Sequence, residues 1–255
     1  SIVPMQTFIE KIVGDTYEVV TIVPPGASPA SYQPTPQEMT KISKAEYYFS
    51  IEVPTEKSNI LEKIDEFNPD IKLFKVNEMI EDTYPERYFD DNEAMRDHHI
   101  WLSPKRVVAM VESMEHILSN DHPELSNVLK ANSDEYISML QELDEYIMDI
   151  ADSIPNKTFI IYHPSYGYFA DDYVFEMIAI EEEGKEETAK GIEKIVVFAK
   201  TNNIKVIFHQ AEIDSEQAET IAREIGGITT MLTPLSENYI ESMKEVIDAF
   251  SYTLK

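Results

Sequence analysis

Short apolar runs alternate with amphipathic stretches along this chain. YEVVTIV (17–23) is apolar and rich in β-branched residues, so it predicts a strand, which stops at Pro24-Pro25-Gly26. AEYYFSI (45–51) and IKLFKV (71–76) predict two more. Between them TPQEMTKIS (35–43) opens a helix: Thr35 is placed to cap, Pro36 takes the first helical position, and Glu38 completes a capping box. SPKRVVAMVESMEHIL repeats the device, with Ser103 as cap, Pro104 next, and Val107, Val111, Met114 and Leu118 on one apolar face. The second half alternates more cleanly. KTFIIY (157–162), IKVIF (204–208) and ITTML (228–232) predict strands, with helices near 188–202 and 215–225. Strand–helix–strand order of this kind implies parallel sheets with right-handed crossovers, hence an α/β fold.

The stretch 124–154 differs from the rest, with no internal Gly or Pro. Tyr136, Leu140, Leu143, Ile147, Ile150 and Ile154 recur at spacings of 4, 3, 4, 3 and 4. That pattern predicts one helix about 45 Å long at a rise of ~1.5 Å per residue, longer than the usual globular helix. The expected organisation is an N-terminal α/β lobe over 1–123, a long rigid linking helix over 124–154, and a C-terminal α/β lobe over 155–255. Each lobe is expected to hold a mostly parallel sheet flanked by helices.

Charge narrows the function. Across 255 residues there are 48 Asp and Glu against 21 Lys and Arg, a net charge of −27. Such a chain repels phosphate backbones and anionic membranes, which argues against nucleic-acid partners. The absence of cysteine removes disulfides, thiolate ligands and thiol catalysis. No stretch approaches a membrane span. The first residue is Ser rather than Met, so a removed leader and an extracytoplasmic location are expected.

Histidine carries the candidate chemistry. RDHHIWLSPKR (96–106) sets His98 and His99 beside Asp97 and the single tryptophan, just ahead of a helix start. His163 follows the strand KTFIIY and His209 follows IKVIF, so both fall at the carboxyl edge of a sheet, where open α/β folds bind ligands. Three histidines from separate segments can converge on one divalent cation. Imidazole suits Zn²⁺ and also binds other transition metals. Asp97 is placed to orient a ligand imidazole, or simply to cap its loop. His209 can equally point into its sheet and pack against a helix; the continuous apolar run does not fix its facing. His116 and His122 lie in or beside a helix with polar neighbours. There is no Gly-rich phosphate loop, no HExxH and no nucleophile elbow, which leaves no enzyme class supported. Asp171-Asp172 and the run EEEGKEE (181–187) read as surface, and Tyr162, Tyr166, Tyr168 and Tyr173 as core and wall.

Several compound motifs resemble the zinc/manganese-type (cluster A-I) solute-binding proteins of ABC transporters. SIVPMQTFIEKIVGDTYEVVTIVPPGASPASYQPTPQEM is similar to that family's opening, DHHIWLSPKR to its DPHxWLxPxN, IYHPSYGYFADDY to HxxxxYFAxxY, and MLTPLSENYIESM to LDPLxxxYxxxM. The likeness runs in order from end to end. It implies two lobes joined by a rigid helix, a divalent metal (zinc, with manganese as the second choice) held in the cleft, delivery to a membrane ABC permease, and action as a monomer. Of the family's four ligands, the second falls on His99 and the third on His163. The first falls on Ala30 and the fourth, an aspartate, on Thr233. The expected metal set is therefore His99, His163 and His209, with water or His98 completing the shell. The alternative is a family member that has left metal transport for surface interaction or adhesion, or that binds another solute.

Overall fold

The structure is a computed structural model describing residues 1–89, 95–181, 187–213 and 216–254. The chain divides into two compact units. The first is Ser1–Glu142 with Leu235–Tyr239, and the second is Leu143–Pro234 with Ile240–Lys255. The division falls inside a helix rather than at its ends, and the chain returns to the first unit for five residues near its end.

In the first unit, α1 (Val3–Val13), α2 (Pro36–Ile42), β1 (Tyr47–Ser50), α3 (Pro54–Asn59), α4 (Ile64–Phe67), β2 (Lys72–Lys75), α5 (Val76–Met79) and α6 (Pro104–Asp121) precede the long α7 (Ser126–Ser153). β1 and β2 pair in parallel, Tyr47 opposite Lys72 through Ser50 opposite Lys75. The capping box of α2 forms as expected: the Glu38 amide donates to Thr35 Oγ1, and Glu38 Oε2 accepts from the Thr35 amide at 2.6 Å. At α6, Ser103 holds the N-cap place and Pro104 follows, but the Ser103 hydroxyl makes no capping bond.

Residues 17–23 form no strand, contrary to their apolar pattern. The amides of Ile22 and Val23 both donate to the Ser1 carbonyl at 3.1 Å, and Thr21 Oγ1 donates there at 2.7 Å. One carbonyl thus takes the donors that a sheet partner would take. Ile2, Met5, Ile9 and Val20 line one apolar groove together with Tyr47 and Phe49 of β1. Gly26 then turns the chain at φ +80°, a conformation open to glycine, and the Ala27 amide closes the turn on Pro24 O at 3.1 Å.

The helix α7 is continuous over 28 residues. Tyr136, Leu140, Leu143 and Ile147 are buried as the stripe requires, but the next buried positions are Ala151 and Ile154, and Ile150 is only half-buried. A 3.6-residue period drifts against a strict 4-3 repeat, and here the drift has shifted the buried face by one residue.

The second unit holds β3 (Thr158–Ile161), α8 (Gly167–Tyr173), β4 (Glu176–Ala179), α9 (Ala189–Thr201), β5 (Val206–Gln210), α10 (Glu216–Glu224), β6 (Ile228–Leu232) and α11 (Tyr239–Thr253). The strands form one parallel sheet in the order β4-β3-β5-β6. One face, carrying Ile160, Tyr162, Ile180 and Ile207, packs on Ile195, Val196 and Ala199 of α9 and on Ala218, Ile221 and Ala222 of α10. The other face is aromatic. Phe250 of α11 lies 4.6 Å from Phe159 and 4.8 Å from Phe208 between ring centroids, with Phe169 and Phe175 adjoining.

Candidate metal centre

In the first unit the site segment follows a single antiparallel bridge between Tyr88 and Arg96. Asp97, fully buried, is its organising residue. One carboxylate oxygen, Oδ1, accepts from the His99 amide at 2.9 Å and faces His99 Nδ1 at 2.8 Å; Oδ2 accepts from Arg87 Nη1 at 3.0 Å. Burial raises the Asp97 pKa, against the lowering pull of the His99 amide, His98 and Arg87. The Asp97 carboxylate caps the loop and orients the imidazole in one stroke. With Nδ1 facing a carboxylate, the proton belongs on Nδ1 and Nε2 keeps its lone pair. His98 packs against His99 with centroids 4.2 Å apart and rings tilted by 33°, and Trp101, 1% exposed, adjoins at 5.3 Å. The Trp101 carbonyl accepts from Tyr239 OH at 2.7 Å, which anchors the turn Ile100–Leu102.

The second unit builds a matching arrangement by another route. β3 and β4 pair Ile161 with Ala179, so two residues further His163 stands opposite Glu181. Side chains alternate across a sheet, so this pair shares the face opposite Tyr162 and Ile180. His163 Nδ1 is hydrogen-bonded to Glu181 Oε1, and both residues are buried. Nδ1 is again committed to a carboxylate.

His209 differs. β3 and β5 pair Ile160 with Ile207 and Ile161 with Phe208, so His209 lies opposite Tyr162 and shares the helix-packed face of Ile160, Tyr162 and Ile207. His163 belongs to the other face, with Phe208 and Gln210. The two histidines expected to share a crevice lie on adjacent strands but face opposite ways. His209 is half-buried, and its Nδ1 lies 3.3 Å from the Gln210 carbonyl oxygen.

Of the two positions where the resemblance places a ligand that this sequence lacks, Ala30 is exposed in a turn. Thr233 follows β6 half-buried, its hydroxyl 3.1 Å from Ser242 Oγ. His116 is exposed on α6, and His122 bonds Tyr47 OH at 3.0 Å. Tyr162, Tyr166, Tyr168 and Tyr173 are buried, as expected of core. Most of the acidic run, 182–186, lies outside the described residues. Among the described residues of either unit, no three His, Asp or Glu side chains gather as a metal cluster. Glu181 is the site residue that the sequence does not reveal: it reads as the first of the acidic run 181–187, and only the β3–β4 register sets it beside His163.

Parallel α/β units threaded by one long helix are the make-up of a two-unit solute-binding protein. The chain belongs to the family of the zinc-uptake complex component A, periplasmic, whose model matches residues 1–252. It is 28% identical over 272 residues to the high-affinity zinc uptake system protein ZnuA of Bacillus subtilis, covering 98% of this chain and 85% of that one. It is 26% identical over 275 residues to the zinc-binding lipoprotein AdcA of Streptococcus pneumoniae, where it spans 54% of the relative's length. A crystal structure of a ZnuA deletion mutant with zinc bound superposes with a TM-score of 0.93 at 31% identity, covering 100% of this chain and 96% of that one.

Proposed function

We propose that this chain is the extracytoplasmic metal-capturing component of an ABC-type zinc uptake system, with His99 and His163 as ligands. One observation carries this. Both histidines are buried, and each has Nδ1 held by a buried carboxylate, Asp97 in one unit and Glu181 in the other. That is how metal-ligating histidines are supported: the carboxylate fixes the tautomer, raises the basicity of Nε2 and aims it at the ion. The zinc-uptake family and the ZnuA and AdcA relatives agree with zinc as cargo. Delivery to a membrane ABC permease is what the zinc-uptake family supports. His209 is left out of the ligand set because of its facing. A metal-free role as a surface interaction protein is the second reading, favoured by Ala30 and Thr233 at two family ligand positions.

Elemental analysis of protein purified without a histidine tag, followed by zinc and manganese titration, separates the two. Zinc binding is expected in the unaltered protein, lost in His99→Ala and His163→Ala, and kept in His209→Ala and in the surface control His116→Ala. Failure of the unaltered protein to bind either metal would refute the proposal in favour of the second reading.

A further inference from the structure

The carboxyl edge of the C-terminal sheet is polar in an unsettled way. Ser165 Oγ, Tyr166 OH, Gln210 Nε2 and Glu212 Oε2 are all buried and lack a hydrogen-bond partner. Ser165 and Tyr166 are 0% exposed and Gln210 is 6% exposed, so bulk water does not serve them. Ser165 and Tyr166 follow β3, Gln210 ends the adjacent β5 and Glu212 follows it, near enough for its charge to raise the Tyr166 pKa beyond what burial does. Gln210 stands two residues past the Phe208–Ile161 pair, on the His163 face. Buried polar groups are nearly always paired, so orphans concentrated at one edge point to a polar occupant.

Two hydroxyls and an amide would be content with water. A buried carboxylate oxygen calls for a cation, and no ion pair among the described residues involves Glu212. Burial pushes its carboxyl up, as expected of a charge without a counter-charge. Topology gives that carboxylate a task. β5 and β6 pair Gln210 with Leu232, and the Ala211 amide extends the ladder to the Leu232 carbonyl at 3.0 Å. Glu212 and Thr233 therefore leave neighbouring strands at the same edge. Position 233 is where the family resemblance places an aspartate ligand, and here its hydroxyl is engaged with Ser242.

We propose that Glu212 supplies the anionic ligand that position 233 lacks, so that this unit contributes His163 and Glu212 to the metal. The inference rests on the zinc-binding reading above. A dication bound by neutral imidazoles alone leaves its charge uncompensated, and a carboxylate one strand away restores the balance without rebuilding the strand end.

The test is zinc titration, with a competing chelator, of the unaltered protein, Glu212→Gln, the exposed control Glu224→Gln, His163→Ala and the double variant Glu212→Gln/Thr233→Asp. Glu212→Gln is expected to weaken binding at least about tenfold, the range seen when a metal site loses a supporting carboxylate. Glu224→Gln, with the same change in net charge, should stay within about twofold, which sets aside a long-range field effect. The double variant should recover most of the loss, and a merely structural role for Glu212 would not be rescued that way. Affinity in Glu212→Gln equal to that in Glu224→Gln, or no rescue by Thr233→Asp, overturns the inference. If His163→Ala abolishes binding while Glu212→Gln does not weaken it, zinc capture stands and Glu212 falls. If the unaltered protein binds no zinc, both fall.

Discussion

Replacing Asp97 by alanine tests the support of the N-terminal ligand, and its two effects can be sized separately. The carboxylate takes donors that include the His99 amide, His99 Nδ1 and Arg87 Nη1. The amide is buried and would be orphaned, costing about 1–3 kcal/mol. Arg87, whose side chain is 25% exposed, recovers water, so its loss is discounted to about 1 kcal/mol or less. The imidazole can move its proton to Nε2 at little cost to folding. The expected destabilisation is about 1–4 kcal/mol, or roughly 2–16 °C in Tm for a chain of this size. The same proton shift blocks the metal nitrogen, so zinc affinity should fall about 10- to 100-fold, which is about 1.4–2.7 kcal/mol. Asp97→Asn keeps an acceptor oxygen for both His99 donors while losing the charge, and should fall between the two. Calorimetric zinc titration at a temperature where each variant is folded, beside thermal unfolding without metal, reads both numbers. An Asp97→Ala protein that is folded and binds zinc within about twofold of the original would refute the claim that Asp97 sets the tautomer of His99.

Phe250→Ala removes the ring around which Phe159, Phe169, Phe175 and Phe208 gather, and should cost about 3–5 kcal/mol by denaturant unfolding while leaving far-UV helix content unchanged. Thr35→Ala breaks the reciprocal cap of α2 and should cost about 1 kcal/mol, measurable as a small fall in the denaturant midpoint at constant slope. Glu212 is held up by burial, so the folded protein binds more protons than the unfolded chain above pH ~4.5. Its contribution to stability therefore declines as pH rises from there through the raised folded value. Metal-free Glu212→Gln should accordingly gain Tm relative to the parent at pH 7 but not at pH 4, and an equal shift at both would contradict the direction given.

Local chemistry made much of the fold legible in the sequence. Thr35, Pro36 and Glu38 announce α2 because a capping box is complete within four residues. KTFIIY ends at His163 because the ladder hands over to a loop there, which is a local event too. Facing and register are not local. IKVIF is apolar on both sides because helices cover one face of its sheet and aromatic rings the other, so alternation is erased and the side taken by His209 cannot be read. β4 went unread for a related reason: four residues, EMIA, enter from Val174 at φ +60° and are too few to show a period. Without β4 there was no register to bring Glu181 to His163. YEVVTIV failed in the opposite sense, since it has every strand propensity and lacks only a neighbour.

The outer position of β6 has a colloidal consequence. β6 lies at one end of the order β4-β3-β5-β6, and its sequence ITTML is uncharged, with Ile228 and Met231 63% and 58% exposed. An open edge of that composition is a template for pairing with a second chain. Gly226 and Gly227 before it and Pro234 after it keep the exposed ladder to five residues. A net charge of −27 keeps chains apart at low ionic strength. Screening falls to about 3 Å in 1 M salt, so concentrated protein in brine would lose that repulsion first and self-associate through this strand.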